Sequence, residues 1–194
     1  MQTQGSDIVE ARYEGNDNVS FPRSGGCLRC GRSIPMAVLR SSCRGRDGDG
    51  SDQVGRWQGC RHITFTEATA GVLIKLELKG LPPGKHAIHV HETGKCEGDF
   101  SSAGAIYNPL GAKHGFLHDE GPMAGDLPNL YAGADGSVVA EVLSPFLTLS
   151  KEAEETLFDT DKTSVVIFAK GDDYESEPDG GAGARVACGV IVTK

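Results

Sequence analysis

From residue 63 onward, the chain contains short segments in which apolar and polar residues alternate. Residues 63–67 read ITFTE and residues 72–79 read VLIKLELK. Successive side chains of a strand point to opposite faces of its sheet, so this period of two predicts strands with one buried face. Further strands are predicted at residues 86–91, 138–143, 164–169 and 187–193. Short strands separated by turn signals are typical of an all-β sandwich or barrel.

Two long segments rich in glycine, proline and aspartate separate the predicted strands, at residues 92–137 and 170–186. A loop of more than about 15 residues without periodic structure is uncommon in a compact domain. The first segment therefore needs something to hold it, and a disulfide or a bound metal ion would serve.

The first part of the chain has a different composition. Nine of the ten arginines precede residue 62, and few apolar residues occur before residue 55. Such a segment buries too little apolar surface to offset the entropy of ordering. We therefore predict a poorly ordered extension at residues 1–54 and a folded domain at residues 55–194. Residues 36–39 (MAVL) are the candidate for a remnant first strand.

Charge and hydropathy exclude several classes of protein. The net charge is -8 and no basic stripe occurs, which argues against binding to nucleic acid or to an anionic membrane surface. No run of about 18 apolar residues is present, so no membrane-spanning helix is predicted. Six cysteines favour an oxidising compartment, whereas the polar first 21 residues lack the pattern of a signal peptide. Periplasmic or secreted and cytoplasmic locations both stay open.

Two pairs of side chains are candidates for metal binding. His89 and His91 are two residues apart on a predicted strand, so their imidazoles point to the same face and could bind copper or zinc. The alternative is two ordinary strand histidines. His114 and Asp126 lie in the glycine-rich loop and could ligate zinc, although a polar surface loop would look the same.

The arginine-rich segment contains a second cysteine pattern. Cys27 and Cys30 have the spacing of half a zinc knuckle, and Cys43 and Cys60 follow. The second close pair that would make the pattern specific is missing, so chance occurrence in a poorly ordered segment is the favoured interpretation.

Six segments, taken in order, resemble the copper/zinc superoxide dismutase family in its bacterial form. They are GKHAIHVH at residues 84–91, Cys96, SAGAIYNP at 102–109, KHG at 113–115, AGDLPN at 124–129 and GAGARVACGV at 181–190. The resemblance extends from about residue 63 to the C-terminus. It implies an eight-stranded Greek-key β-barrel, one loop disulfide, and copper and zinc held side by side by long loops. It also implies superoxide as the substrate, and the family's usual homodimer is a further expectation.

The resemblance assigns roles to individual residues. His89 and His91 fall on copper-ligand positions, and His114 and Asp126 fall on zinc-ligand positions. Asp172 falls on the carboxylate that orients ligands of both metals, and Arg185 falls on the arginine that guides superoxide to copper. Cys96 and Cys188 fall on the disulfide pair, with two unpaired buried cysteines as the alternative.

Three positions depart from the family pattern. The bridging histidine falls on Ile106, the remaining copper histidine on Phe168 and the remaining zinc histidine on Met123. Three of seven ligands are thus replaced, which makes the occupancy of both metals doubtful and predicts weak or absent dismutase activity. The alternatives are an active copper-only type of dismutase with rearranged ligands, and a copper-binding or partner-binding barrel without turnover. His118 is a candidate replacement ligand in a rearranged zinc site, although a solvated loop histidine is the simpler interpretation.

Overall fold

The architecture was obtained as a computed structural model, which describes residues 8–15, 62–153 and 155–193. These residues form nine strands: β1 (Ile8–Gly15), β2 (His62–Ala68), β3 (Gly71–Leu78), β4 (Gly84–His86), β5 (Ile88–His91), β6 (Leu130–Ala132), β7 (Val138–Ser144), β8 (Ser164–Phe168) and β9 (Arg185–Thr193). Within the described ranges, the helical structure consists of one 3-10 turn at Ser101–Ala103. None of the helical structure described there is long and apolar enough to cross a membrane. The all-β prediction is confirmed.

Seven strands form one antiparallel sheet in the order β5-β8-β9-β1-β2-β3-β7, and β4 pairs with β6. The alternating pattern explains the packing, because Ile63 and Phe65 of β2 are fully buried while Thr64 and Thr66 are partly exposed. β3 buries Val72, Ile74, Leu76 and Leu78 in the same way. These side chains form the main hydrophobic core together with residues of β5, β8 and β9.

One of the predicted strands is interrupted at Ala87. The strand that we predicted at residues 86–91 is divided there, so that β4 pairs with β6 whereas β5 pairs with β8. The amide of Ala87 donates to the carbonyl of Lys170 and its carbonyl accepts from Phe168, so the strand changes partner at this residue. Hydrogen bonding among the described residues therefore forms two sheets rather than one closed ring.

β1 lies inside the range that we assigned to the extension. Ile8–Gly15 pairs with β2 on one side and with β9 on the other, so this part of the extension prediction needs correction. A physical reason is visible in the sequence IVEARYEG, where Val9, Ala11 and Tyr13 alternate with polar residues. Residues 16–61 lie outside the described ranges, and with them the boundary at residue 55, the candidate strand at 36–39 and the knuckle cysteines.

A disulfide joins the first long loop to the last strand. Cys96 and Cys188 are bonded, with Cα atoms 5.6 Å apart and a sequence separation of 92, which confirms the predicted pair. A disulfide typically stabilises a fold by about 2–4 kcal/mol. The bond lies at a second, smaller apolar cluster that includes Phe100 and Phe168. The first long loop is therefore fixed to the sheet beside the candidate site.

Candidate metal centre

β5 and β8 each present one face to the main core and the other to a polar site. Ile88 and Val90 belong to the main core, while His89 and His91 point to the opposite face and are 0% and 1% exposed. Their ring centroids are 6.4 Å apart. In the paired strand, Val166 and Phe168 occupy the second cluster. The period of two therefore brings both histidines and Phe168 to one side of the sheet.

Asp172 connects two of the histidines through its two carboxylate oxygens. Oδ2 lies 3.0 Å from Nε2 of His89 and Oδ1 lies 3.2 Å from Nε2 of His114. Since a carboxylate only accepts, both imidazole nitrogens donate. Burial alone would raise the pKa of Asp172, but these two hydrogen bonds hold it well below its usual range. Asp172 is thus an ionised carboxylate that fixes the orientation of the His89 and His114 rings.

The backbone of Asp172 is held in turn by Asn129. The amide of Asp172 donates to Oδ1 of Asn129 at 2.7 Å, and Nδ2 of Asn129 donates to the carbonyl of Asp172 at 2.9 Å. Lys85 donates to the same carbonyl at 2.9 Å. Sequence reasoning did not assign a role to Asn129 or Lys85. The available signal was that Asn129 belongs to the AGDLPN segment and Lys85 to the GKHAIHVH segment.

His114 lies between two carboxylates. Its Nδ1 donates to Oδ1 of Asp126 at 2.8 Å and its Nε2 donates to Asp172. Burial lowers the pKa of His114, but the hydrogen bonds and negative charges of Asp126 and Asp172 outweigh burial and raise it to about 10. This side chain is therefore an imidazolium that joins the first long loop to the segment after β8.

Asp126 also organises the loop backbone around it. Its Oδ2 accepts from the amides of Gly115 and Met123 at 2.8 and 2.9 Å. Backbone pairing further links Asp126 to His89 across an isolated antiparallel bridge. Every oxygen of this buried carboxylate has a partner, which accounts for its position at 2% exposure.

Two imidazole nitrogens in the site have no hydrogen-bond partner. Nδ1 of His89 and Nε2 of His91 are two of four such buried side-chain atoms in the described part of the chain; the others are in Ser144 and Asp159. His91 donates from Nδ1 to the carbonyl of Gly104. Burial, with the nearby charge of Arg185, lowers the pKa of His91 to about 3, so its Nε2 carries a free lone pair. Unpaired buried nitrogens of this kind are candidate metal donors.

Apolar side chains close the remaining sides of the site. The ring of Phe168 lies 5.3 Å from that of His89 and stacks on His91 at 5.9 Å with an interplanar angle of 27°. Ile106 faces His91 across an isolated backbone bridge. A cavity of about 540 Å³ opens outside them, and Ile106, Met123, Phe168 and Arg185 contribute to its lining.

Arg185 is fixed at the rim of this cavity. It donates to the carbonyls of Phe100 and Gly104 at 2.6 and 2.8 Å, and its guanidinium carbon lies 5.9 Å from the centroid of Phe168. Arg185 pairs with Phe168, next to a shift in the β8–β9 register between Ile167 and Phe168. Register irregularities of this type change the direction in which a side chain points.

His118 does not join the cluster. Its Nδ1 accepts a hydrogen bond from the amide of Glu120 in a local turn. The potential metal donors that the described residues bring together are His89, His114 and Asp126, which lie within 4.8 Å of one another through one atom each.

The fold and this cluster agree with the comparisons between this chain and known proteins. The sequence model of the family described as copper/zinc superoxide dismutase (SODC) matches residues 61–191. The chain belongs to the copper/zinc superoxide dismutase family. Copper and zinc are therefore the cofactors that the family implies for it.

Some of the similar proteins are named superoxide dismutase, and others are named SOD-like protein. Superoxide dismutase [Cu-Zn] of Caulobacter vibrioides is 51% identical over 132 residues, which are 66% of this chain and 76% of the relative. Superoxide dismutase [Cu-Zn] 2 of Aquifex aeolicus is 51% identical over 127 residues, 64% of this chain and 74% of the relative. A double histidine mutant of a SOD-like protein from Bacillus subtilis aligns with a TM-score of 0.66 at 39% identity, covering 67% of this chain and 87% of that structure.

Proposed function

We propose that this chain is a superoxide dismutase family protein with an incomplete metal centre and with weak or no dismutase activity. The family reaction converts two superoxide ions and two protons to dioxygen and hydrogen peroxide at copper. The observation that carries the proposal is the ring of Phe168, which is 1% exposed and packs against both His89 and His91. A phenyl ring supplies no donor atom where the family pattern has a copper ligand.

By the family assignment, the copper half of the site retains two imidazoles, those of His89 and His91. Cu(II) favours tetragonal sets of nitrogen and oxygen ligands, and neither Phe168 nor Ile106 offers such an atom. The free nitrogens of His89 and His91 are the donors that remain. The residues present therefore do not fit the family's copper site.

The zinc half retains His114 and Asp126. Structural zinc sites have four ligands as a rule, and the thioether of Met123 is too soft to be a good zinc ligand. A direct hydrogen bond joins the imidazole of His114 to Asp126. The residues of this half do not supply the four ligands of the family's zinc site either, and hydrogen bonds to Asp126 organise the loop.

A second candidate function is a copper-binding barrel, with or without turnover. The two buried nitrogens without partners favour it, because leaving such atoms unpaired costs about 1–3 kcal/mol each. In the active version, which would be a copper-only type of dismutase, Arg185 attracts the superoxide anion at the rim of the cavity.

We also infer that the strands close into the family's eight-stranded Greek-key barrel. β4 continues into β5 through Ala87, and a turn in which Gly133 donates to Ser137 joins β6 to β7. The β4–β6 pair therefore connects β5 and β7, the two edges of the large sheet. Counting β4 and β5 as one divided strand gives eight.

Superoxide turnover and copper content, measured on the same reconstituted sample of the full chain, test the proposed function. We expect turnover close to the uncatalysed rate and clearly less than one copper per chain. Fast turnover would overturn the proposal. One copper per chain without turnover would establish the second candidate in its non-catalytic version.

A further inference from the structure

The three residues that lie within 4.8 Å of one another belong to both halves of the family's centre. His89 falls on a copper position, whereas His114 and Asp126 fall on zinc positions. The geometry points to a single mononuclear site in this chain, in which His89, His114 and Asp126 together hold one divalent cation such as zinc. The inference rests on the proposed function in one respect, namely that no complete two-metal centre competes for these side chains.

The donor atoms have suitable chemistry and spacing. Two imidazoles and one carboxylate form a ligand set that zinc accepts, with the fourth position left to water. Ligand atoms of a tetrahedral zinc ion lie roughly 3.3 Å apart. Since the donor atoms lie within 4.8 Å of one another, they must approach by at most about 1.5 Å when an ion binds.

Asp172 orients both imidazoles for this task. Because Asp172 accepts a hydrogen bond from Nε2 of each ring, only Nδ1 of each ring is available to an ion. Nδ1 of His114 donates to Asp126 at 2.8 Å, so an ion that binds there takes the place of this proton. Nδ1 of His89 is fully buried and has no partner. A carboxylate behind a metal-binding histidine is a common arrangement that fixes the tautomer and the direction of the ring. Here one carboxylate serves two rings.

The third ligand is connected to the first through the backbone. Asp126 and His89 form an isolated antiparallel bridge, and the amide of Val90 donates to the carbonyl of Gly125 at 2.9 Å. All three ligands and Asp172 are at most 2% exposed. An ion bound here would supply the positive charge that the His114 imidazolium otherwise places between Asp126 and Asp172.

His91 stands apart from this set. Its Nδ1 is bonded to the carbonyl of Gly104 and Phe168 stacks on its ring. The inference therefore separates two neighbouring histidines of β5: His89 binds the ion and His91 does not. In the family's copper site both residues would be required, so the contrast between them is the decisive test.

Zinc titration of the full chain by calorimetry, after removal of metals with a chelator, measures the site directly. We expect one zinc ion per chain and a loss of at least about tenfold in affinity in His89→Ala, His114→Ala and Asp126→Asn. Asp172→Asn should lose about 10- to 100-fold, the usual effect of removing a carboxylate behind a ligand. His91→Ala should stay within about twofold of the unaltered chain, and so should His118→Ala, the control at a turn histidine.

Three results would overturn the inference: no zinc binding, binding that His89→Ala leaves unchanged, or equal losses in His89→Ala and His91→Ala. Because a buried substitution can disturb folding, histidine ¹⁵N spectra of the unaltered chain provide an independent measurement. Zinc should shift the Nδ1 resonances of His89 and His114 and leave both nitrogens of His91 in place. Superoxide turnover reports separately on the proposed function, so its failure and the failure of the single-ion site are distinguishable.

Discussion

The two halves of the site are held by different physical means. Around Asp126, hydrogen bonds hold the side chains: both carboxylate oxygens are partnered and His114 is held between two carboxylates. Around His91, packing dominates: an aromatic ring stacks on the imidazole, and one nitrogen is left without a partner. The comparison shows that polar contacts and apolar packing can each order one half of the same site.

Restoring the three histidines should have the largest effect. The triple change Ile106→His, Met123→His and Phe168→His returns donor atoms to both halves of the site. Activity should follow, because a bound copper ion would supply redox chemistry that the side chains alone lack. We expect superoxide turnover to rise by at least about two orders of magnitude in reconstituted protein. The single change Phe168→His is the matched control and should recover much less. An unchanged rate in the triple variant would place the defect outside these positions.

Removing the carboxylate from the hydrogen-bonded half should have the next largest effect. Asp126→Asn leaves the His114 imidazolium short of a charged partner, and breaking a buried ion pair costs about 3–5 kcal/mol. Urea unfolding of the chelator-treated chain measures this free energy. Asp119→Asn, at an exposed position in the same loop, should stay within about 0.5 kcal/mol of the unaltered chain. Equal effects would mean that the hydrogen bonds do not hold the loop.

The pH dependence of stability should follow the hydrogen-bonded half. The folded pKa of His114, about 10, is above the ordinary value of 6.5, so its contribution is fully present below about pH 6.5. It is lost as the pH rises through 10, at a slope of at most about 1.4 kcal/mol per pH unit for one proton. Unfolding of the metal-free chain between pH 6 and pH 10 measures the slope, which Asp126→Asn should flatten. A flat profile in the unaltered chain would contradict this.

The apolar half should respond least to a conservative change. Phe168→Leu removes the stacked ring but keeps an apolar side chain, so we expect a loss of about 1 kcal/mol in the free energy of unfolding. Val166→Ala, in the same cluster, provides a comparison at a position without a ring contact. If Phe168→Leu instead destabilises by as much as Asp126→Asn, packing and hydrogen bonding contribute equally and the contrast between the halves fails.

Much of the fold could be predicted from local patterns, and the exceptions have identifiable causes. Alternation located β2, β3 and β7 because each has five or more residues and one buried face. β6 was missed because three residues are too few to show a period, and it lay in the range assigned to a loop. β1 was missed because an arginine-rich segment follows it, so composition over a long window hid the eight alternating residues.

The candidate site was predictable in its members but not in its contacts. Spacing placed His89 and His91 on one face, residue type in the glycine-rich loop suggested His114 and Asp126, and the family resemblance added Asp172. Which nitrogen of each imidazole is paired depends on partners that lie far away in sequence, such as the carbonyl of Gly104 and the carboxylate of Asp172. The stacking of Phe168 likewise depends on the pairing of β5 with β8, which no local pattern contains.

The position of β1 in the middle of the large sheet has a consequence for how the protein is made. β1 is made well before β9, yet β9 is one of its two partners, and Val9 pairs with Thr193. The sheet therefore cannot be completed until β9 has been made, and pairing of such distant segments slows folding. Until then β1 and β8 each present an unpaired edge, at which a partly made chain is exposed to aggregation.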